Sequence, residues 1–266
     1  MVEAPVGWQC RSCVREDSRR APVTRWRASG GGRLGNSRLT PAVIALIVIN
    51  VVVYLWETNT KVIEYAPSWL PRPVLCPSAI CHYSLVPAGV HHGEWYRLLT
   101  AAFLHANFSH ILFNMLTLAI IGSAVEAEIG SIRFVALYVA SALGGSVASY
   151  LLSKPYVFGL GASGAIFGLM GAYFVMARYK RWETGTIVGL IVINLIITFA
   201  DSNIDWRAHL GGLVTGAAVA FGMTRVSSRR ESRTQASEVG AGVAIAVAAV
   251  VVLSLLAMLP PGHLNV

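Results

Sequence analysis

Charge is what this chain has little of. Asp, Glu, Lys and Arg together make up 13% of its residues, where a soluble domain carries about 25%. Lysine is nearly absent: Lys61, Lys154 and Lys180 stand against eighteen arginines. Four cysteines in 266 residues are too few for a disulfide-stapled scaffold. A disordered chain, a coiled coil and almost any water-soluble enzyme are excluded by this composition. What is there instead is 55% hydrophobic residues and a mean hydropathy of +0.60. That balance is the mark of an all-α polytopic membrane protein.

Seven runs contain no Asp, Glu, Lys or Arg: Pro41–Trp56, Ala106–Val125, Phe134–Leu152, Pro155–Ala177, Thr184–Ala200, Ala208–Thr224 and Val239–Leu259. A span needs about 20 apolar residues, so the shorter runs draw on flanking positions. Irregular backbone cannot face lipid, and each run is read as a helix. No internal repeat is visible, which weakens an inverted-repeat transporter.

Residues 1–40 are polar, Arg-rich and Gly-rich, and read as a largely disordered basic tail. The tail is too long and polar for a cleavable signal peptide. With this tail in the cytoplasm, sixteen of the 21 basic residues fall inside and five outside. The positive-inside rule therefore places the N-terminus in the cytoplasm and, after seven spans, the C-terminus outside, in the cell (plasma) membrane. The net charge of +8 is a topology signal facing lipid, with no nucleic-acid partner implied. The organisation read is a tail 1–40, a membrane domain 41–225 with an outer loop 57–105, a cytoplasmic linker 226–238, and a seventh span with an outer C-terminus, 239–266. The outer loop carries Tyr65, Trp69, Tyr83, Trp95 and Tyr96, residues that favour the interface.

Polar groups in spans are costly and each needs a reason. Span two holds His110 and Asn114, span four holds Ser163 in Gly161-Ala-Ser-Gly164, and span six holds His209 in Ala208-His-Leu-Gly-Gly212. These three spans enter from the same side, and the polar residues share one shallow depth, about 10 Å or less. Spans one, three, five and seven offer no such cluster; Asn50 and Asn194 read as interhelical hydrogen-bond residues. Ser and His at one level suggest a nucleophile and its general base. His110 and Asn114, at i and i+4, share a face that can donate to an oxyanion. No acidic residue lies in a span; Asp201 and Asp205 sit in a loop. A Ser–His dyad is favoured over a triad. Gly164-x-x-x-Gly168 and Gly212-x-x-x-Gly216 also read as close-packing faces.

These pieces, together with Trp95-Tyr96-Arg97 and Glu126-Ala-Glu-Ile-Gly130, occur in the order seen in the rhomboid intramembrane serine proteases, which residues 40–225 resemble. The resemblance implies a rhomboid-like six-helix core plus a seventh C-terminal helix, of a bacterial, actinobacterial type. It implies Ser163 as nucleophile and His209 as base, with His110, Asn114 and the Ser163 N–H binding the oxyanion. It implies structural roles for Arg97, His105 and Glu126. Phe167 stands where the family often has Tyr, against the catalytic His. Gly161 and Gly164 flank the serine. Transmembrane protein substrates are implied, and neither cofactor nor metal.

Each feature also has a plainer reading. Ser163 alone suits packing in a Gly-rich helix, and His209 alone suits a buried carbonyl contact. Cys10-x-x-Cys13 is half of a zinc site with no second pair. Cys76 and Cys81 lie in the outer loop, where a bridge is permitted. The alternative function is a non-catalytic rhomboid-like protein that binds client transmembrane helices. A small-solute transporter is disfavoured by the lack of intramembrane carboxylates.

Overall fold

The computed structural model describes residues 38–59, 75–228 and 235–258, with the short strands Val2–Ala4, Gly7–Gln9 and Ile63–Tyr65. The chain divides into two units, Met1–Gly31 and Gly32–Val266. The described part of the first is an antiparallel pair, β1 (Val2–Ala4) with β2 (Gly7–Gln9), which was not anticipated from the sequence. Cys10 and Cys13, most of the tail and Arg229–Arg233 lie outside the described residues.

The second unit is helical. Its long helices are α1 (Pro41–Asn59), α5 (Phe108–Ile129), α6 (Ser131–Leu152), α7 (Ser163–Lys180), α8 (Gly185–Ala200), α9 (Trp206–Ser228) and α10 (Gln235–Ala257). Helix α5 carries a π-helical turn at Leu118–Gly122. Between α1 and α5 lie a strand pair, β3 (Ile63–Tyr65) with β4 (Leu75–Pro77), and three short helices: α2 (Ser78–Tyr83), α3 (Pro87–His91) and α4 (Arg97–Thr100). The described part of the loop is thus structured. Its Leu85, Val90, Leu98 and Ala101 pack with Val147 and Tyr150 of α6 into a small buried cluster.

Four segments among the described residues are long and apolar enough to cross a bilayer: Pro41–Asn59, Phe108–Ile129, Ser131–Leu152 and Val239–Ala257. Helix α8 is apolar and shorter. The chain is a multi-pass membrane protein. Helices α7 and α9 fall outside that set because they are rich in Gly, Ala and polar residues. Helix α7 has few lipid-facing positions, since Ala165 to Tyr173 are all buried, and a helix surrounded by protein needs no apolar coat.

What α7 and α9 need is close approach. A Cβ on Gly168 would lie 2.9 Å from the Gly212 carbonyl oxygen, and one on Gly145 of α6 would lie 2.7 Å from the Ala208 carbonyl oxygen. Gly164, Gly168, Gly212 and Gly216 all sit in this seam. The van der Waals contact there replaces a hydrophobic drive that lipid cannot supply between helices.

The fourth apolar run is not helical throughout. Residues 153–162 form an irregular segment, and helix begins only at Ser163. Pro155 lacks an N–H and Gly161 holds φ at +124°, a region L side chains rarely adopt. This segment is held by protein: Leu85 and Gly159 exchange N–H···O bonds of 2.8 Å, and Gly161 N–H donates to Ala101 at 2.8 Å.

Glu126 ties three helix ends together. Its carboxylate accepts from Thr40 Oγ1 (2.5 Å), Ala42 N–H (3.0 Å), Val43 N–H (2.9 Å) and Ser131 Oγ (2.6 Å). The first turn of α1 has no intrahelical partners for its N–H groups, and an anion there also meets the helix dipole. All four neighbours are donors, so an amide cannot replace the carboxylate well. Glu126→Gln should cost about 2–3 kcal/mol of stability and Glu126→Ala at least as much. Thermal unfolding in detergent would check this; an unchanged midpoint for both variants would refute it.

Candidate active site

Ser163 is the first residue of α7, so its own N–H is one of the unpaired donors at a helix N-terminus. The turn before it, at Gly161, delivers the chain into the helix with the serine hydroxyl uncrowded. A Cβ at Gly161 would lie 2.8 Å from Nε2 of His110, so glycine is needed there for space as well as for φ.

His209 sits four residues past Asp205, on the first turn of α9. Asp205 Oδ1 accepts from the N–H groups of Arg207 (3.1 Å) and Ala208 (3.4 Å), which caps the helix. Its Oδ2 accepts from Ser149 Oγ near the end of α6. The cap thereby anchors the His209 turn to a second helix. His209 Nε2 and Ser163 Oγ are 2.8 Å apart. The imidazole stacks on Phe167, one turn beyond Ser163, with centroids 4.2 Å apart and planes at 17°. Its Nδ1 lies 2.8 Å from Oγ1 of Thr198 on α8. His209 is buried, so each nitrogen needs such a partner.

Asn107 begins α5: its side chain accepts from the His110 N–H at 2.9 Å. The His110 Nδ1 accepts from Ala106 N–H at 3.4 Å, which leaves Nε2 to carry the ring proton. One turn further, Asn114 is buried and its Nδ2 has no hydrogen-bond partner among the described residues. A buried, unpaired amide donor is rare enough to require an explanation. Both side chains line a cavity of about 760 Å³ with Ser163, His209, Gly161 and Thr198. Its walls include Phe113 and Thr117 of α5 and Asn194 and Ile197 of α8.

The supporting residues are placed as follows. Arg97 is fully buried; its Nε donates to Glu94 at 2.6 Å and its Nη1 to the Ser84 carbonyl at 2.9 Å, bracing the outer loop. His105 is buried against His110, with ring centroids 5.2 Å apart. Burial first, and the nearby His110 second, lower its pKa to about 4, so it is neutral at pH 7. Its backbone N–H donates to Glu57 at 3.3 Å. Gly164 lies in the α7–α9 seam. Cys81 is disulfide-bonded; the side chain of Cys76, its expected partner, lies outside the described residues.

Two residues of the site do not stand out in the sequence. Span five shows no polar cluster in the sequence, yet its Thr198 touches His209. No sequence signal singles it out, because a threonine four residues after Asn194 reads as a hydroxyl bonded back to its own helix. Asp205 reads as a loop residue in the sequence; its capping role follows from its place just before Trp206. The expected interhelical role of Asn194 is also corrected, since its amide donates to Leu190 of its own helix at 2.8 Å. Asn50 also donates to its own helix, at Leu46, but its side chain meets Tyr138 of α6 as well, in keeping with the interhelical role expected.

Residues 92–226 match the family model described as the Rhomboid domain. Over 200 residues the chain is 32% identical to "Putative rhomboid protease YdcA" of Bacillus subtilis, covering 73% of this chain and 94% of that one. It is 44% identical over 146 residues to "Rhomboid protease GluP" of the same organism, covering 52% of this chain and 28% of that longer protein. A plant relative, "RHOMBOID-like protein 5" of Arabidopsis thaliana, is 39% identical over 140 residues, 50% of this chain and 45% of its own.

Proposed function

The chain belongs to the rhomboid family, and from that membership we propose that it is an intramembrane serine endopeptidase. It hydrolyses peptide bonds in or near transmembrane segments of other membrane proteins by a Ser163–His209 dyad. The observation that carries this reading is the 2.8 Å contact between Ser163 Oγ and His209 Nε2 on the wall of a cavity.

The chemistry runs in ordinary steps. Nε2 takes the Ser163 proton as Oγ bonds to the scissile carbonyl carbon. The new oxyanion is met by the Ser163 N–H, Asn114 Nδ2 and His110 Nε2–H. The imidazolium then gives its proton to the leaving amine as the C–N bond breaks. Water repeats the sequence and releases the acid. A substrate helix must unwind to present its carbonyl, so helix-breaking and small residues near the cut favour cleavage.

The decisive experiment is labelling of the membrane-embedded protein by a fluorophosphonate probe, with peptide mapping of the adduct. The expected adduct is on Ser163. Folded protein that takes no label would favour the alternative, a non-catalytic relative that binds client helices, a role in which Ser163 and His209 have no chemistry to do.

The proposed setting is the plasma membrane, N-terminus in the cytoplasm and C-terminus outside, a reading supported by the distribution of arginine and lysine. Residues 1–40 form the tail, 41–225 the catalytic domain, 226–238 a cytoplasmic linker and 239–266 the seventh span. Reporter fusions at residues 20 and 264 should report opposite sides. Both ends on one side would remove the orientation or one span.

A further inference from the structure

Helix α8 is coated with aliphatic side chains, and only Ile187 and Thr198 on it are buried. A hydroxyl at one of two buried positions on an apolar helix is not explained by packing. The Thr198 hydroxyl has two polar neighbours: the Asn194 carbonyl oxygen at 2.7 Å and His209 Nδ1 at 2.8 Å. It has one proton to give. A carbonyl oxygen can only accept, so the proton goes to Asn194. Were it turned to Nδ1 instead, two unshielded acceptors would face each other at 2.7 Å. The contact with Nδ1 must then be an Nδ1–H donating to Oγ1. A neutral ring protonated on Nδ1 has its lone pair on Nε2, the atom that faces Ser163.

We propose that Thr198 is a positioning residue for His209: its hydroxyl oxygen accepts the Nδ1–H and holds the imidazole in the tautomer, and at the angle, that removes the Ser163 proton. This rests on the assignment of Ser163 and His209 made above. The proton balance closes. Nε2 gains the serine proton, the ring becomes an imidazolium, and Nε2 passes that proton to the leaving amine. The Nδ1 proton stays on the Thr198 side throughout, in a bond that strengthens while the ring is charged. A carboxylate in this place would hold the ring too, but would bring a charge into a buried site within the membrane. A hydroxyl whose own proton is committed to its helix performs the orientation with no charge at all.

The test uses the full chain in liposomes and a fluorophosphonate as the probe, with its maximal rate of adduct formation and its half-saturating concentration measured separately. Thr198→Val keeps the shape and removes the hydroxyl; Thr198→Ala is a second hydroxyl-free variant. Both should lower the maximal rate about tenfold or more, with half-saturation unchanged. Thr198→Ser should restore the rate to near wild type. In a Ser163→Ala background, ¹⁵N-histidine spectra should show His209 protonated on Nδ1, and Thr198→Val should mix the tautomers. The His209 signals are identified by their loss in His209→Ala. Equal rates for wild type and Thr198→Val, failure of Thr198→Ser to rescue, or an unmoved tautomer would each overturn the proposal. Absence of wild-type labelling would instead remove the dyad beneath it, and the proposal with it, whereas labelled wild type with an indifferent Thr198→Val removes Thr198 alone.

Discussion

Ser163→Ala and His209→Ala should each abolish cleavage of reporter transmembrane segments, a loss of about 10⁴-fold or more. The two act on one proton, so neither retains the advantage of the other. The double variant should therefore be no slower than the worse single one. Both variants should still fold and insert. Ser163 packs at a helix start where alanine is tolerated, and α9 keeps its Asp205 cap when His209 is shortened. His209→Ala does leave Phe167 without its stacking partner, so a modest drop in stability is expected there. The measurement is turnover in liposomes alongside thermal unfolding. Residual cleavage in Ser163→Ala above that of protein-free liposomes would sink the nucleophile assignment.

Asn114→Ala should lower kcat by about 10²–10³-fold and leave KM within about twofold. Its Nδ2 is a buried donor with no acceptor among the described residues. Such a donor costs stability unless it acts later, and an oxyanion is the acceptor that appears only during reaction. Its hydrogen bond strengthens as charge moves onto the carbonyl oxygen, so its loss falls on the transition state and spares ground-state binding. His110 is the second side-chain donor at the same wall and can carry part of the load, which sets the lower end of the range. The variant should also be slightly more stable than wild type, because the unsatisfied amide is gone. An unaltered kcat would mean that Asn114 fills space only, and would withdraw the oxyanion role from α5.

The amino-acid sequence by itself determined the class of this protein and the cast of its site. Scarcity of charge, uninterrupted apolar runs and the helical requirement of backbone in lipid leave no other architecture. Ser163, His209, His110 and Asn114 stood out because a polar group in an apolar run is costly and so conspicuous. Gly164, Gly168, Gly212 and Gly216 announced a close seam by their four-residue spacing. Other features depended on contacts between residues far apart in the chain, which periodicity does not encode. Hydropathy ran Pro155 to Ala177 together as one helix, whereas the packing of Gly159 on Leu85 and of Gly161 on Ala101 and His110 breaks it at Ser163. Glu126 gains its meaning from Thr40, more than eighty residues away. Thr198 looks, in sequence, like any hydroxyl bonded back to its own helix. Only the docking of α8 beside α9 puts its oxygen on Nδ1 of His209, because a tautomer is decided by where the second nitrogen's neighbour lies in space.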